Sequence, residues 1–191
     1  NIVMIGTGYV GLTTGLGFAG LGARVACVDT DSVKISKLDL GQAPFYEPGM
    51  DETFKRLQEQ GQIIFTTDLA SVIDQADVVM IAVQTPPKLN GDAELAYVIA
   101  AATEVGQLLD HEALLVLKST VPVGTNRRVL QIVREEMEKR GRGELTGLIQ
   151  IASVPEFLRE GAALLDFMEP DRVVIGADDA VVYQTIERMH A

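Results

Sequence analysis

The amino-acid sequence predicts an α/β fold of the Rossmann type, a doubly wound and mainly parallel sheet with helices on both faces. Apolar runs of strand length alternate with helical segments along the chain, and this order favours a parallel sheet joined by right-handed crossovers. A glycine-rich turn, GTGYVG at residues 6–11, separates the first apolar run from a helix. The run from Val78 to Val83 is apolar throughout, which is typical of a strand covered on both faces.

Turn residues and changes of hydrophobic period separate the expected elements. Strands are expected at residues 2–5, 25–28, 63–66, 78–83, 113–117, 148–152 and 172–175. Helices are expected at residues 9–21, 32–40, 50–60, 71–75, 95–109, 126–140 and 179–189. Ser32 and Asp68 have side chains suited to capping the second and fourth of these helices. The first helix holds glycines at 11, 15, 17 and 20, which predicts a close approach to the sheet or a cofactor, because each glycine costs about 1 kcal/mol against alanine.

The glycine-rich turn has the spacing of a dinucleotide-binding site. Gly6 permits the tight turn out of the strand, Gly8 lets the backbone approach a pyrophosphate, and Gly11 lets the helix pack closely on the sheet. The start of the helix then offers free N–H groups and a positive dipole end to the phosphates. Tyr9 and Val10, which lie in this turn, are therefore expected to contact the cofactor.

Asp29 is the second part of the predicted cofactor site. It closes the second apolar run, eighteen positions after Gly11, where its carboxylate can accept hydrogen bonds from the ribose hydroxyls. The same carboxylate would repel a 2′-phosphate, and no arginine lies in the residues that follow, so NAD is expected rather than NADP. Lys34, the first cation after Asp29, is expected beside the adenosine ribose; a solvated lysine on the helix surface is the alternative.

Further candidate residues follow the later strands, because ligands of open α/β sheets bind beyond the carboxyl ends of the strands. Thr85 and Pro86 follow the fourth strand, where the second half of the sheet begins, and are predicted to line the cofactor site. Glu156 and Glu160 would share one helical face if Pro155 starts a helical turn, and such carboxylates could transfer protons. The alternative is that the helix dipole favours two ordinary acids there. The other polar candidates at strand ends are Ser119 and Thr120.

Composition narrows the class of function. The 191 residues carry a formal net charge of −11, which argues against a nucleic-acid partner because phosphate binding needs a surplus of lysine and arginine. No membrane-spanning stretch or signal peptide is evident, and a cytoplasmic enzyme is expected. His111 and His190 lack partners at metal-ligand spacing, so no metal site is expected. Cys27, the one cysteine, lies in the second strand and is predicted to be a buried, inert thiol.

Seven segments of the chain resemble the nucleotide-sugar 6-dehydrogenases of the UDP-glucose/GDP-mannose type, in that family's order. They are GTGYVGL (6–12), VDTD (28–31), PFYEPGM (44–50), QTP (84–86), KSTVPVGT (118–125), PEFLREG (155–161) and DRVVIG (171–176). The resemblance implies an NAD-dependent, four-electron oxidation of a sugar C6 alcohol to a carboxylate, through an aldehyde and a cysteine-bound thioester. Oxidation of UDP-glucose to UDP-glucuronate with two NAD is expected. Enzymes acting on GDP-mannose or a UDP-N-acetyl-hexosamine are the alternatives.

The resemblance also implies roles for individual residues. Thr120 would hold an active-site water or the cofactor amide, with Ser119 beside it in the cofactor site. Glu156 would be the acid/base that assists hydrolysis, and Glu160 would contact the NAD or the sugar. Glu47 would lie near the site. The residues expected on the substrate side are Glu156, Phe157, Leu158 and Glu160.

Two departures from the family pattern shape the expectation for this chain. Val154 stands where the family usually has an asparagine before the PEF segment. The family's nucleophilic cysteine and its nucleotide-binding domain would follow residue 191. Residues 1–191 are therefore expected to be the N-terminal NAD-binding domain of an enzyme that is a homodimer at full length, and to bind NAD without turning over UDP-glucose. The alternatives are a non-catalytic NAD-binding module and another two-domain dehydrogenase, such as a β-hydroxyacid type.

Overall fold

The computed structural model describes residues 1–190 and contains one seven-stranded sheet. The strands are β1 (Ile2–Ile5), β2 (Val25–Val28), β3 (Ile63–Thr66), β4 (Val78–Ile81), β5 (Ala113–Leu117), β6 (Ile149–Ser153) and β7 (Gly176–Ala177). Their order across the sheet is β3-β2-β1-β4-β5-β6-β7. The first six strands are parallel, and β7 runs antiparallel to β6. The predicted doubly wound, mainly parallel fold is confirmed.

Helices connect the strands and cover both faces of the sheet. Within residues 1–190 they are α1 (Tyr9–Gly20), α2 (Ser32–Asp39), α3 (Met50–Glu59), α4 (Ala70–Ile73), α5 (Ala96–Leu108), α6 (Thr125–Lys139), α7 (Ala163–Met168) and α8 (Ala180–Met189). A 3-10 turn at Gly143–Leu148 precedes β6. Successive strand residues point to opposite faces, so Met4 of β1 belongs to the core cluster that includes residues of α1, α3 and α7, whereas Val3 belongs to the cluster that includes residues of α4, α5 and α6. The sheet is thus a middle layer between two cores.

β1 is the third of the seven strands across the sheet, and the connections reverse direction there. β2 pairs with one edge of β1 and β4 with the other, and Ile5 is level with both Val28 and Ile81. The carboxyl ends of these three strands therefore open at the same height. This is the switch point at which a crevice forms in doubly wound sheets.

One strand prediction is wrong. Residues 172–175 form no strand, and the two-residue strand β7 follows them, with Gly176 opposite Ser153 and Ala177 opposite Ala152. Val173 and Ile175 are partly buried against the core cluster that includes α1 and α7. Burial of these alternate side chains explains the strand-like pattern, although their backbone does not pair with β6.

Pro155 does not start a helical turn, which was the condition for Glu156 and Glu160 to share a helical face. Residues 154–159 are irregular, because the carboxylate of Glu156 accepts a hydrogen bond of 2.6 Å from the N–H of Leu158 and closes a local turn. The helix of this region, α7, begins only at Ala163 and was not predicted. Glu156 and Glu160 therefore do not share a helical face.

The cap of α2 is Asp31 rather than the predicted Ser32. The carboxylate of Asp31 accepts hydrogen bonds of 3.0 Å from the N–H groups of Val33 and Lys34, and Ser32 is the first helical residue. A carboxylate at this position satisfies two N–H groups that a helix start otherwise leaves unpaired. The remaining predicted helices differ from the observed ones by one or two residues at their ends.

Candidate functional site

The glycine-rich turn is tightly packed at Gly6 and Gly11 and open at Gly8. Gly6 has a φ of +101°, and a Cβ there would lie 2.6 Å from the carbonyl oxygen of Ala82. A Cβ on Gly11 would lie 1.9 Å from the carbonyl oxygen of Gly6, so α1 approaches the turn as closely as backbone allows. By contrast, a Cβ on Gly8 would have no heavy atom of residues 1–190 within 4 Å. Gly8 therefore leaves room for a ligand, whereas Gly6 and Gly11 serve the packing of the turn.

The close packing of α1 explains most of its glycines. A Cβ on Gly15 would lie 3.0 Å from Sγ of Cys27, and one on Gly17 would lie 2.1 Å from the ring of Phe167. A Cβ on Gly20 would meet no atom of residues 1–190 within 4 Å. The predicted close approach to the sheet therefore holds for Gly15, which faces Cys27 of β2, and for Gly11, which meets the residues that follow β1 and β4. Gly17 instead makes room for Phe167 of α7, and Gly20 makes no close approach within residues 1–190.

Asp29 lies directly after β2 and is bonded to the glycine-rich turn. Its Oδ2 accepts hydrogen bonds from the N–H of Thr7 (2.9 Å) and from the hydroxyl of Thr7 (2.7 Å). Its Oδ1 accepts a bond of 3.0 Å from the N–H of Asp31. Burial by itself raises the pKa of Asp29, but bonds from Lys34, Thr7 and Asp31 outweigh burial and hold that pKa below its ordinary value. The group is therefore a fixed carboxylate at the rim of the turn.

Lys34 lies over Asp29. Its Nζ is 2.7 Å from Oδ2 of Asp29, and the two side chains are 30% and 12% exposed. A ribose that binds Asp29 would meet Lys34 at the same place, because both residues line one cavity. Lys34 therefore lies beside Asp29, and its link to the carboxylate is a feature that spacing did not indicate.

Two cavities flank the glycine-rich turn and together form a groove across the switch point. One, of about 270 Å³, includes Asp29 and Lys34 in its lining. The other, of about 260 Å³, lies on the β4–β5 side. The residues common to both are Gly8, Ala82, Val83 and Gln84. An extended ligand can therefore run from Asp29 over the backbone of Gly8 to the ends of β4 and β5.

The cavity on the β4–β5 side collects most of the residues predicted from the later strands. Its lining includes Tyr9, Val10, Thr85, Ser119, Thr120 and Glu156. The hydroxyl of Thr85 donates a bond of 3.0 Å to the carbonyl oxygen of Thr120, and the hydroxyl of Ser119 donates one of 2.6 Å to that of Val83. These bonds hold the ends of β4 and β5 together. Pro86, also predicted to line the cofactor site, lies outside both cavities. Its carbonyl oxygen accepts a hydrogen bond from the N–H of Glu94.

Tyr9 and Glu47 join three separate segments behind the turn. The hydroxyl of Tyr9 is 3.1 Å from Oε1 of Glu47 and 2.9 Å from the carbonyl oxygen of Arg159. Both carboxylate oxygens of Glu47 accept from the N–H of Ala163, at 3.2 and 3.3 Å. Glu47 is 3% exposed. Burial, with the nearby carboxylate of Glu47 second, raises the pKa of Tyr9 to about 12. Glu47 thus lies near the site as a buried link to the start of α7.

A third cavity, of about 350 Å³, adjoins the groove beyond the ends of β5 and β6. Glu156 and Lys118 line both this cavity and the one on the β4–β5 side. Phe157 and Leu158, predicted on the substrate side, also line it. Glu160 is exposed and lines none of the three cavities formed by residues 1–190. The geometry therefore brings Glu156 to the junction of two cavities and leaves Glu160 apart from it.

Lys118 is a residue of this junction that sequence reasoning did not select. It is 5% exposed, and burial lowers its pKa to about 8 although the nearby charge of Glu156 opposes that shift. The sequence feature that could have indicated Lys118 is its position directly after five apolar strand residues, 113–117, all of which are buried. A charged group in that position is rarely buried without a functional reason.

The remaining ionisable candidates lie elsewhere. Cys27 is fully buried, and burial raises the pKa of its thiol to about 12, as expected for an inert cysteine. The ring centroid of His190 lies 5.0 Å from that of Phe18, and His190 lines the 350 Å³ cavity. Among residues 1–190 no group of three or more histidine, cysteine, aspartate or glutamate side chains could hold a metal ion. No helix in that range is both long and apolar enough to cross a bilayer.

Comparison with known proteins shows the family of this chain. The model of the NAD-binding domain of the UDP-glucose/GDP-mannose dehydrogenase family matches residues 1–191. The chain belongs to this family. The domain that the family model describes binds NAD, which agrees with the cofactor predicted from Asp29 and with the open space above Gly8.

Individual relatives extend the match. The chain is 47% identical over 179 residues to a UDP-glucose 6-dehydrogenase of Rhizobium meliloti, covering 93% of this chain and 39% of the relative. It is 40% identical over 191 residues to a UDP-glucose 6-dehydrogenase of Pseudomonas aeruginosa, covering 100% of this chain and 42% of the relative. The chain thus spans about two fifths of the length of these relatives.

Solved structures of the family have the same fold. A UDP-glucose dehydrogenase from Pyrobaculum islandicum superimposes with a TM-score of 0.90 at 39% identity, covering 99% of this chain and 43% of that one. A GDP-mannose dehydrogenase from Pseudomonas aeruginosa, solved as a ternary complex, gives a TM-score of 0.89 at 29% identity, again with 99% and 43% coverage. The fold prediction and the family resemblance are both confirmed.

Proposed function

We propose that residues 1–191 are the NAD-binding domain of an enzyme that oxidises UDP-glucose to UDP-glucuronate with two NAD, and that this domain alone binds NAD without turnover. The observation that carries the proposal is the continuous groove from Asp29 over Gly8 to Glu156, in a chain 47% identical to a UDP-glucose 6-dehydrogenase. A GDP-mannose or UDP-N-acetyl-hexosamine substrate is less well supported, because the GDP-mannose dehydrogenase structure is only 29% identical.

Each part of the groove would make one kind of contact with the cofactor. The N–H groups at the start of α1 would bind the pyrophosphate, which Gly8 allows to approach the backbone. Asp29 would accept hydrogen bonds from the adenosine ribose, with Lys34 beside it. Thr85, Ser119 and Thr120 would surround the nicotinamide end, where Thr120 offers an exposed hydroxyl. Bound NAD would supply the hydride acceptor for alcohol oxidation.

Glu156 is assigned the proton-transfer role on the substrate side. It lies where the nicotinamide cavity and the 350 Å³ cavity meet, so that a sugar in the second cavity would bring its reacting oxygen to this carboxylate. Phe157 and Leu158 would form part of the sugar-facing wall. Cys27 is fully buried in β2 and is not available as a nucleophile. The cysteine of the thioester step is therefore assigned to a part of the full-length enzyme outside residues 1–191.

Calorimetric titration with NAD tests the cofactor site. Asp29→Ala is expected to lose about 1–3 kcal/mol of binding free energy, the scale of hydrogen bonds to a charged group. Asp39→Ala is the matched control, because Asp39 is an exposed aspartate at the end of α2. Wild-type protein should bind NAD at least about tenfold more tightly than NADP, a difference of about 1.4 kcal/mol. Equal affinities of wild type and Asp29→Ala would remove Asp29 from the site.

The absence of turnover is tested separately. The purified chain, supplied with NAD and UDP-glucose, is expected to produce no NADH, measured by absorbance. NADH production would refute that part of the proposal. A substrate screen on the full-length protein, with GDP-mannose and UDP-N-acetyl-hexosamines beside UDP-glucose, tests the assignment of the sugar nucleotide.

A further inference from the structure

Lys118 is held in the interior by the register of β5. Leu114 and Val116 of this strand face the core that contains α1, and Lys118 is the next residue on that face. Its N–H donates a bond of 2.9 Å to the carbonyl oxygen of Ile81, so the backbone continues alongside β4 beyond the strand end. The side chain is therefore directed towards α1 rather than into solvent, and it lines the 350 Å³ cavity with Thr14 of that helix.

The ammonium group of Lys118 has no partner among residues 1–190. It makes neither a hydrogen bond nor an ion pair in that range, although the residue is only 5% exposed. The hydroxyl of Thr14, fully buried and lining the same cavity, also has no hydrogen-bond partner there. Burying an unpaired charge or hydroxyl is unfavourable. An ammonium without a protein partner and an unpaired buried hydroxyl thus line one cavity, and a polar ligand bound there could satisfy both.

The charged groups around this cavity come from several elements. Arg159 and Asp166 pair with each other at 2.6 Å, and Arg172 lies 5.4 Å from the ring centroid of Phe157. The other ionisable groups in the lining are Glu156, Asp171 and His190. Of these, Glu156 acts most directly on Lys118, because the two residues also share the cavity at the nicotinamide end.

The lining therefore has balanced charges rather than an excess of either sign. Oε2 of Glu156 accepts a bond from the N–H of Leu158, which leaves Oε1 as the oxygen available to a ligand. An ammonium can only donate hydrogen bonds, and a carboxylate can only accept them. A hydroxyl group both accepts and donates, so it can bridge the two, whereas an anion would be repelled by Glu156.

We propose that Lys118 is a further residue of the active site, and that its ammonium and the carboxylate of Glu156 hold one oxygen atom between them. That oxygen belongs to a hydroxyl of the sugar substrate or, before substrate binds, to a water. Lys118 donates a hydrogen bond to the oxygen, and Glu156 accepts one from it. The identification of the substrate hydroxyl rests on the proposed function; the pairing of the two residues does not.

A crystal structure of the cofactor-free chain tests the bridge directly. The expected result is an ordered oxygen within hydrogen-bond distance of both Nζ of Lys118 and a carboxylate oxygen of Glu156. A direct ion pair between the two side chains, a lysine turned out of the cavity, or a cavity without such an oxygen would each overturn the proposal.

Titrations followed by NMR test whether the two charges act on each other. In Glu156→Gln the midpoint of the Lys118 amine should fall by about one pH unit, because the nearby negative charge that opposes the effect of burial is lost. Glu59→Gln, a change at an exposed glutamate of α3, should leave the Lys118 midpoint unchanged. An unchanged Lys118 midpoint in folded Glu156→Gln would overturn the proposal.

The substrate part has its own test. In the full-length enzyme with NADH bound, so that no oxidation occurs, UDP-glucose should shift the side-chain NMR signal of Lys118 in the wild type, and UDP alone should not. The shift should be lost in Glu156→Gln. No response to UDP-glucose would overturn the assignment of the oxygen to the sugar. Failure of NAD to bind would refute the proposed function, whereas the crystal structure and the titrations, both without cofactor, would still decide the pairing of Lys118 with Glu156.

Discussion

The hydroxyl of Thr7 donates a hydrogen bond of 2.7 Å to Oδ2 of Asp29, and the N–H of Thr7 donates a second bond to the same oxygen at 2.9 Å. Thr7 is fully buried within the glycine-rich turn. The two bonds join the turn after β1 to the residue that ends β2. The phosphate-binding and ribose-binding parts of the predicted NAD site are therefore held in one fixed arrangement.

Removing the hydroxyl of Thr7 should loosen this arrangement. Thr7→Val keeps the shape of the side chain and the N–H bond but deletes one hydrogen bond to a carboxylate, so we expect a loss of about 1–3 kcal/mol in the free energy of unfolding at pH 7. The pKa of Asp29 lies below its ordinary value partly because of this bond. The stability contributed by Asp29 is therefore present at neutral pH and lost as the pH falls through its folded-state pKa.

Urea unfolding at several pH values measures this effect. The difference between wild type and Thr7→Val should shrink as the solution is acidified towards the pKa of Asp29. Thr103→Val in α5, where the hydroxyl bonds only to the carbonyl oxygen of Ile99, is the control and should show no such trend. A difference that does not change with pH would separate Thr7 from the ionisation of Asp29.

Two glycines of α1 should respond oppositely to the same substitution. Gly11→Ala would place a Cβ 1.9 Å from the carbonyl oxygen of Gly6, so the turn or the helix must shift, and we expect lower stability and weaker NAD binding. Gly20→Ala adds a Cβ with no atom of residues 1–190 within 4 Å, and helix propensity should stabilise it by up to about 1 kcal/mol. Thermal unfolding and NAD titration of both variants make the comparison, and equal effects would contradict it.

Glu47 should be important for stability although it lies outside the predicted cofactor contacts. Glu47→Ala leaves the buried N–H of Ala163 without its partner and removes one of the two acceptors of the Tyr9 hydroxyl, so we expect a loss of about 2–4 kcal/mol. Hydrogen exchange at the Ala163 amide should accelerate in parallel. Glu59→Ala, at an exposed glutamate of α3, should change stability by less than about 0.5 kcal/mol. An unchanged exchange rate at Ala163 would refute the linking role.

The buried ammonium of Lys118 predicts a stability effect at alkaline pH. Burial lowers the pKa of Lys118 from 10.5 to about 8, so between these values the unfolded chain binds more protons than the folded one. Stability due to this residue therefore rises as the pH increases from about 8 to about 10.5. Lys118→Met removes the cost of burying the charged amine at every pH. The free energy of unfolding of this variant should therefore exceed that of wild type most at pH 7. The difference should be smaller by on the order of 3 kcal/mol at pH 10. Urea unfolding at both pH values measures this, and a difference independent of pH would contradict it.

The parts of the fold that the sequence predicted well are those that depend on local pattern. The apolar runs of β1, β4 and β5 are recognisable because both faces of these strands are buried. The glycine spacing and Asp29 predicted the cofactor groove because the tight turn after β1 and the place of an acid at the end of β2 can both be recognised from short stretches of sequence. The segment at 172–175 was misread because burial of alternate side chains resembles a strand even where the backbone does not pair.

The region from Pro155 to Met168 could not be predicted from local pattern. Its course is set by contacts with distant parts of the chain, such as the carboxylate of Glu47 at the N–H of Ala163, 116 residues away. The ring of Phe167 packs against Gly17 of α1. With these contacts the helix of this region begins at Ala163 rather than at Pro155. Glu156 and Glu160 therefore do not share a helical face.

The sequence by itself determined the sheet, the place of the crevice and NAD as the cofactor, because these follow from hydrophobic period, glycine spacing and one acid at a set distance. The resemblance of seven segments indicated the family. Only the tertiary structure decided which later residues face the groove. It brought Lys118 and Glu156 together, because the side chain of one follows the register of β5 and that of the other follows an irregular loop fixed by long-range hydrogen bonds. Burial of a charge depends on everything packed around it, and no stretch of sequence contains that information.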